Sequence, residues 1–158
     1  MSETKPLVFV DVDIARLETL AAAMVANLPT RIVIGLRGTL GAGKTRLSQA
    51  IAQAAGIDRR DVTSPTFTIV QHYEGTRRIH HIDAYRLADE DEFIELGGEE
   101  ILDDDAMILV EWPERIAGCM PKETLYLDLE IQSDPNLRTI TASCLDEHVL
   151  RIIISKCT

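Results

Sequence analysis

The chain has 158 residues, enough for one domain (1–158) to bury its own core without disulfides or a structural metal. Apolar residues make up 46% and aromatic residues 4%, which excludes a disordered chain and demands a largely aliphatic core. Sixteen basic against 26 acidic side chains leave a net charge of −10, which excludes a stand-alone binder of nucleic-acid phosphates and disfavours anionic membranes.

In chain order, residues 7–10 (LVFV) predict a short strand. Asp13 can cap a helix whose apolar residues Ile14, Leu17, Leu20, Ala21, Met24, Val25 and Leu28 follow the 3.6-residue period, with Asn27 to Pro29 ending it. Residues 31–36 (RIVIGL) have the β-branched, unbroken apolar run of a strand buried on both faces. After a Gly-rich loop, residues 44–55 predict a helix with Leu47, Ala50, Ile51 and Ala54 on one face, stopped by Gly56. Residues 66–73 and 78–84 predict two strands around the Glu74–Gly75 turn. Residues 89–105 predict two short helices broken at Gly97–Gly98, and 106–111 (AMILVE) another buried strand. Residues 124–131 and 137–144 alternate around Ser133-Asp134-Pro135-Asn136 as a second hairpin, and 148–154 predict a final strand. The expected fold is α/β, a three-layer domain whose mixed sheet has parallel core strands and antiparallel hairpin additions.

The negative charge has an address. Residues 89–105 (DEDEFIELGGEEILDDD) hold ten acids and no Lys or Arg, so the remainder carries 16 bases and 16 acids. This segment reads either as a solvated helical face or as a docking surface for a basic partner patch. Cys119, Cys144 and Cys157 form no C-x-x-C and are odd in number, which fits a reducing compartment. The N-terminus has no basic stretch leading into a long apolar one, and no run reaches the length of a membrane span. The expectation is a cytoplasmic protein.

The strongest chemical signal is Gly38-Thr39-Leu40-Gly41-Ala42-Gly43-Lys44-Thr45, a full match to G-x-x-x-x-G-K-[ST]. Phosphate oxygens must reach several successive backbone N–H groups, and glycines let the backbone wrap them without Cβ clashes. The helix that follows aims its N-terminal N–H groups and dipole at the anion. Lys44 supplies a fixed positive charge and Thr45 a hydroxyl for Mg²⁺. The motif stands directly after a buried strand and before an amphipathic helix, where its chemistry requires it.

Such a site also needs a carboxylate at the end of a neighbouring apolar strand. Two meet that description: Glu111, after Met107-Ile108-Leu109-Val110, and Asp83, after Ile79-His80-His81-Ile82. One can hold Mg²⁺ and the other position the attacking water, and the sequence leaves the division open. Thr66, in Ser64-Pro65-Thr66-Phe67-Thr68, stands where switch segments of such proteins lie and can reach Mg²⁺ or the γ-phosphate. Trp112, the single tryptophan, follows Glu111 and packs over nucleotide, partner or core. His80 and His81 are neighbours on a strand, point to opposite faces and therefore do not share a zinc ion.

The only asparagines, Asn27 and Asn136, are not followed by Lys, so the N-K-x-D signature of guanine recognition is missing and ATP is expected. Small-molecule kinases of this fold usually close an Arg-rich lid over the phosphates. The acidic segment takes that place here and would repel a phosphorylated substrate.

Five motifs together resemble one family: GTLGAGKT at 38–45, SPTFT at 64–68, HIDAYRL at 81–87, ELG at 95–97 and LVEWPER at 109–115. The chain is similar, over nearly its whole length, to the small bacterial P-loop ATPases of tRNA threonylcarbamoyladenosine biosynthesis, the TsaE family. The resemblance implies a single P-loop NTPase-like α/β domain, ATP and Mg²⁺ at the P-loop, and slow hydrolysis in support of threonylcarbamoyl transfer to adenosine 37 of tRNA. It implies as partners the threonylcarbamoyl-transferring subunit and its inactive paralogue, a heterodimer that holds the tRNA. By motif position it gives Lys44 and Thr45 phosphate and Mg²⁺ contacts, Thr66 a switch role, and Asp83 and Glu111 the acidic roles. Tyr85, Arg86 and Trp112 become site-lining or partner-facing residues. Two other classes stay open on the residues alone: a small-molecule phosphotransferase, and a nucleotide-gated binding module that needs no hydrolysis.

Overall fold

Unbroken apolar runs form the centre of the sheet in a computed structural model that describes residues 4–62 and 68–157. Strands β1 (Leu7–Val12), β2 (Ile32–Arg37), β3 (Val70–Glu74), β4 (Arg78–Asp83), β5 (Met107–Glu111), β6 (Leu125–Ile131) and β7 (Arg138–Ser143) make one seven-stranded sheet in the order β1-β7-β6-β2-β5-β4-β3. The four inner strands β6, β2, β5 and β4 are parallel, and antiparallel β7, β1 and β3 extend the two sides. The expected mixed α/β sheet with a parallel core is therefore present. Residues 68 and 69, expected within the first hairpin, precede β3, and Thr66 lies outside the described residues.

Helices α1 (Ile14–Asn27), α2 (Lys44–Ala54) and α5 (Glu147–Cys157) cover one face. The Asp13 carboxylate accepts from Arg16 N at 2.8 Å and so starts α1. Leu17, Leu20, Ala21, Met24 and Val25 bury the expected stripe, whereas Ile14 stands 54% exposed in the first turn. Helices α3 (Glu90–Glu95) and α4 (Gly98–Leu102), with the 3-10 segment Pro113–Cys119, cover β2, β5 and β4 on the other face around Phe93, Ile82, Ile108 and Val110. Among the described residues nothing covers the outer face of β1 in this way: Val8 and Val10 are 54% and 53% exposed.

One expected element is wrong. Residues 148–154 are not a strand but part of α5, which buries Val149, Leu150 and Ile153. The β-branched run Ile152-Ile153-Ile154 suggests a strand by propensity. The positions at i, i+1 and i+4 fit instead a helical stripe that packs against α1, and tertiary burial overrides propensity.

The acidic segment forms the two expected short helices, and half of its acids serve the fold. Asp89 and Glu92 accept backbone N–H groups around the start of α3, and Glu90 accepts from Gly118 N at 2.7 Å. Asp103 pairs with Arg31, and Asp104 with His80, at 2.8 and 2.6 Å.

Candidate functional site

The parallel strands deliver the site. Leu36, Glu111 and Asp83 are register partners across β2, β5 and β4, so both carboxylates and the loop that leaves β2 meet at the C-terminal edge of the sheet. In open α/β sheets this edge is where ligands bind. Here a cleft of about 370 Å³ is lined by Leu40, Gly41, Gly43, Lys44, Thr45, Arg46, Asp83, Tyr85, Arg86, Glu111 and Trp112.

The loop from Gly38 to Gly43 turns β2 into α2. Gly43 adopts a φ of 108°, which strains any residue with a Cβ. A Cβ on Gly38 would stand 2.7 Å from the Leu129 carbonyl oxygen. Ala42, within the loop, is fully buried. From β7 the Arg138 guanidinium donates to the Ala42 carbonyl at 2.7 Å and clamps the loop from behind.

Lys44 is 5% exposed and folds back over the loop. Its ammonium donates to the carbonyls of Gly38 at 2.6 Å and Thr39 at 3.0 Å and lies 4.0 Å from the Trp112 ring centre. Loss of hydration pushes its pKa below the ordinary lysine value, against the opposing pull of the Glu111, Glu114 and Asp83 carboxylates. Trp112 holds that position through a left-handed backbone, φ 60° and ψ 50°, rare for a bulky residue and costly by about 1–3 kcal/mol. The turn swings its ring back over Lys44 and to within 4.9 Å of the Tyr85 ring.

The two acids have different surroundings. Glu111 is 2% exposed. Its Oε1 accepts the Thr45 hydroxyl at 2.8 Å, and its Oε2 faces His81 Nε2 at 2.5 Å. Asp83 is only half-buried and accepts from Tyr85 N at 3.0 Å. Thr45, Asp83 and Glu111 offer oxygen atoms only, the donor set that fits Mg²⁺.

Behind Gly43 lies a second groove of about 280 Å³, walled by Val12, Ile14, Leu17, Leu129 and Pro135 and sharing Gly43 and Arg46 with the first. Sequence reasoning missed this groove, the Arg138 clamp and the His81–Glu111 contact. His81 alone had a local signal: it stands two residues before Asp83 on the same strand and therefore shares its face. The other two depend on β7 and its hairpin passing beside the loop. His80, on the opposite face, contacts His72 and Asp104 instead.

Comparison with known proteins gives this arrangement a family. Residues 12–140 match the model of the family described as Threonylcarbamoyl adenosine biosynthesis protein TsaE. The tRNA threonylcarbamoyladenosine biosynthesis protein TsaE of Treponema pallidum is 37% identical over 111 residues, covering 70% of this chain and 81% of that protein. The protein of the same name from Aquifex aeolicus is 44% identical over 110 residues, covering 68% and 74%. The crystal structure of Bacillus subtilis YdiB superposes with a TM-score of 0.76 at 26% identity, over 98% of this chain and 96% of that one. A family match across most of the chain, joined to the P-loop and two carboxylates at one sheet edge, makes this chain a member of the TsaE family of threonylcarbamoyladenosine biosynthesis proteins.

Proposed function

We propose that this chain is a P-loop ATPase that binds ATP with Mg²⁺ and hydrolyses it slowly, in support of N6-threonylcarbamoyladenosine formation at position 37 of tRNA. The observation that carries this reading is the Thr45–Glu111 hydrogen bond of 2.8 Å, which joins the P-loop to the strand-end carboxylate beside it. Backbone N–H groups from Gly38, Thr39, Leu40, Gly41, Ala42 and Gly43 bind the phosphates, and Lys44 gives up its carbonyl partners to contact them. Mg²⁺, when bound, neutralises charge on the phosphate oxygens. Thr45 and Glu111 hold the ion's side of the site, because Glu111 is buried and already tied to Thr45. Asp83, more exposed at the end of the neighbouring strand, orients the attacking water. The adenine lies in the apolar groove behind Gly43.

The partner is the heterodimer of the threonylcarbamoyl-transferring subunit and its inactive paralogue, a reading supported by family membership. That heterodimer, not this acidic chain, holds the tRNA. No described helix is long and apolar enough to cross a membrane.

Single turnover of labelled ATP with and without that heterodimer tests the reading. Hydrolysis that depends on Lys44 and rises with the heterodimer supports it. Stoichiometric phosphorylation of a small hydroxyl acceptor would replace it with a phosphotransferase. Full partner activation by Glu111→Ala and Asp83→Ala would replace it with a nucleotide gate that needs no hydrolysis.

A further inference from the structure

His81 is completely buried on β4, yet it belongs to neither the P-loop nor the pair of strand-end acids. Its Nε2 stands 2.5 Å from Glu111 Oε2, and its Nδ1 is buried with no hydrogen-bond partner among the described residues. An unpaired polar atom in the interior is a cost that a leucine at this position would not incur. The imidazole is therefore kept for its other nitrogen.

That nitrogen faces a carboxylate whose two oxygens have separate partners. An ionised carboxylate only accepts, so Oε2 takes the Nε2–H tautomer of His81, while Oε1 receives the Thr45 hydroxyl at 2.8 Å. Glu111 is 2% exposed, so water does not fix its orientation. Without a donor on the His81 side, the carboxylate is free to turn about its terminal bond, and Oε1 loses its alignment with Thr45. His81 and Glu111 lie on neighbouring parallel strands, with His81 paired to Leu109, two residues before Glu111 on the same face. The backbone thus brings the imidazole beneath the carboxylate.

We propose that His81 is a positioning residue for Glu111: its Nε2–H locks the carboxylate so that Oε1 and the Thr45 hydroxyl together form the ion-facing side of the site. The inference rests on the ATP and Mg²⁺ reading above. It assigns His81 no contact with nucleotide or metal.

Glutamine carries its amide nitrogen as many bonds from Cβ as Nε2 of histidine, whereas the asparagine nitrogen stops at the Nδ1 position. His81→Gln and His81→Asn therefore differ in reach rather than polarity. The readout is Mn²⁺ affinity of the ADP complex of the full chain, followed by electron paramagnetic resonance of free Mn²⁺. ADP affinity without metal is followed by Trp112 emission. The expectation is that His81→Asn weakens Mn²⁺ binding about 10- to 100-fold, the size typical of partners one step behind a metal ligand, and leaves metal-free ADP affinity unchanged. His81→Gln restores Mn²⁺ affinity to within about threefold of wild type. Equal Mn²⁺ affinity in the two variants overturns the proposal, as does an equal loss of metal-free ADP binding. If His81→Asn does not fold, His81→Leu takes its place in the same comparison. A wild-type chain that binds no Mn²⁺ with ADP refutes the parent reading instead, before any variant is made.

Discussion

The Lys44 ammonium is sandwiched between its own loop and an aromatic ring: it donates to the Gly38 and Thr39 carbonyls and lies 4.0 Å from the centre of Trp112. Cation and ring come from different elements, one opening α2 and the other following β5. A phosphate that captures the ammonium must change what the ring sees. Trp112 is the single tryptophan, so its emission reports on this site alone.

ATP titration is therefore expected to change Trp112 emission, and Lys44→Ala to weaken ATP binding by roughly 10- to 150-fold, the equivalent of a charged hydrogen bond worth about 1.5–3 kcal/mol. The fold should survive, because Lys44 contacts loop carbonyls rather than the core. Lys44→Ala that binds and hydrolyses ATP like wild type would remove the P-loop from the function.

Glu111→Gln and Asp83→Asn should differ in kind. Glu111 is tied to Thr45, so its amide variant is expected to raise the Mg²⁺ concentration needed for half-maximal hydrolysis. Thr45→Val should do the same, and Thr45→Ser should not. Asp83→Asn should keep the Mg²⁺ dependence and lower the single-turnover rate by about 10²–10⁴, the usual size of a lost general base. The same Mg²⁺ shift in both acid variants would refute this division of roles.

On the opposite face of β4, His72 and His80 meet Nδ1 to Nδ1 at 2.7 Å, and the other nitrogen of His80 contacts Asp104. Burial, and then the neighbouring His80, push the His72 pKa below the ordinary histidine value, against the pull of Asp104. As the pH falls below about 6.5, the unfolded chain takes a proton on this residue that the folded chain resists. His72 therefore costs stability at acid pH and nothing at neutral pH. Between pH 7.5 and pH 5.5 the melting temperature of His72→Gln should fall less than that of wild type. The window stays above the range in which Asp104 titrates, since His80 first and the Asp105 N–H next hold that carboxyl below its usual value.

The C-terminal helix makes a prediction that a strand would not. Leu150 and Ile153 are three apart and both buried, 4% and 1% exposed, whereas a strand would turn them to opposite faces. Leu150→Ala and Ile153→Ala should each cost about 2–5 kcal/mol in urea unfolding. Arg151→Ala, on the exposed side, should stay within about 0.5 kcal/mol. Equal, small effects at all three positions would show that α5 does not pack on α1.

The sequence by itself determined what is local. The Gly-rich loop between a buried strand and an amphipathic helix, the two hairpins, and the two apolar strands ending in Asp83 and Glu111 all follow from backbone preference and the period of apolar residues. Those rules describe a residue's neighbours along the chain. They failed for α5, where the β-branched run suggested a strand and packing against α1 decided for a helix. The site's finer order was decided only in three dimensions. Thr45 meets Glu111 across 66 positions, and Arg138 reaches the Ala42 carbonyl across 96. The left-handed turn at Trp112 and the imidazole beneath Glu111 likewise exist only once β2, β5 and β4 lie side by side. Strand order brings such residues together, and strand order follows from how the apolar faces pack, which no stretch of the chain encodes alone.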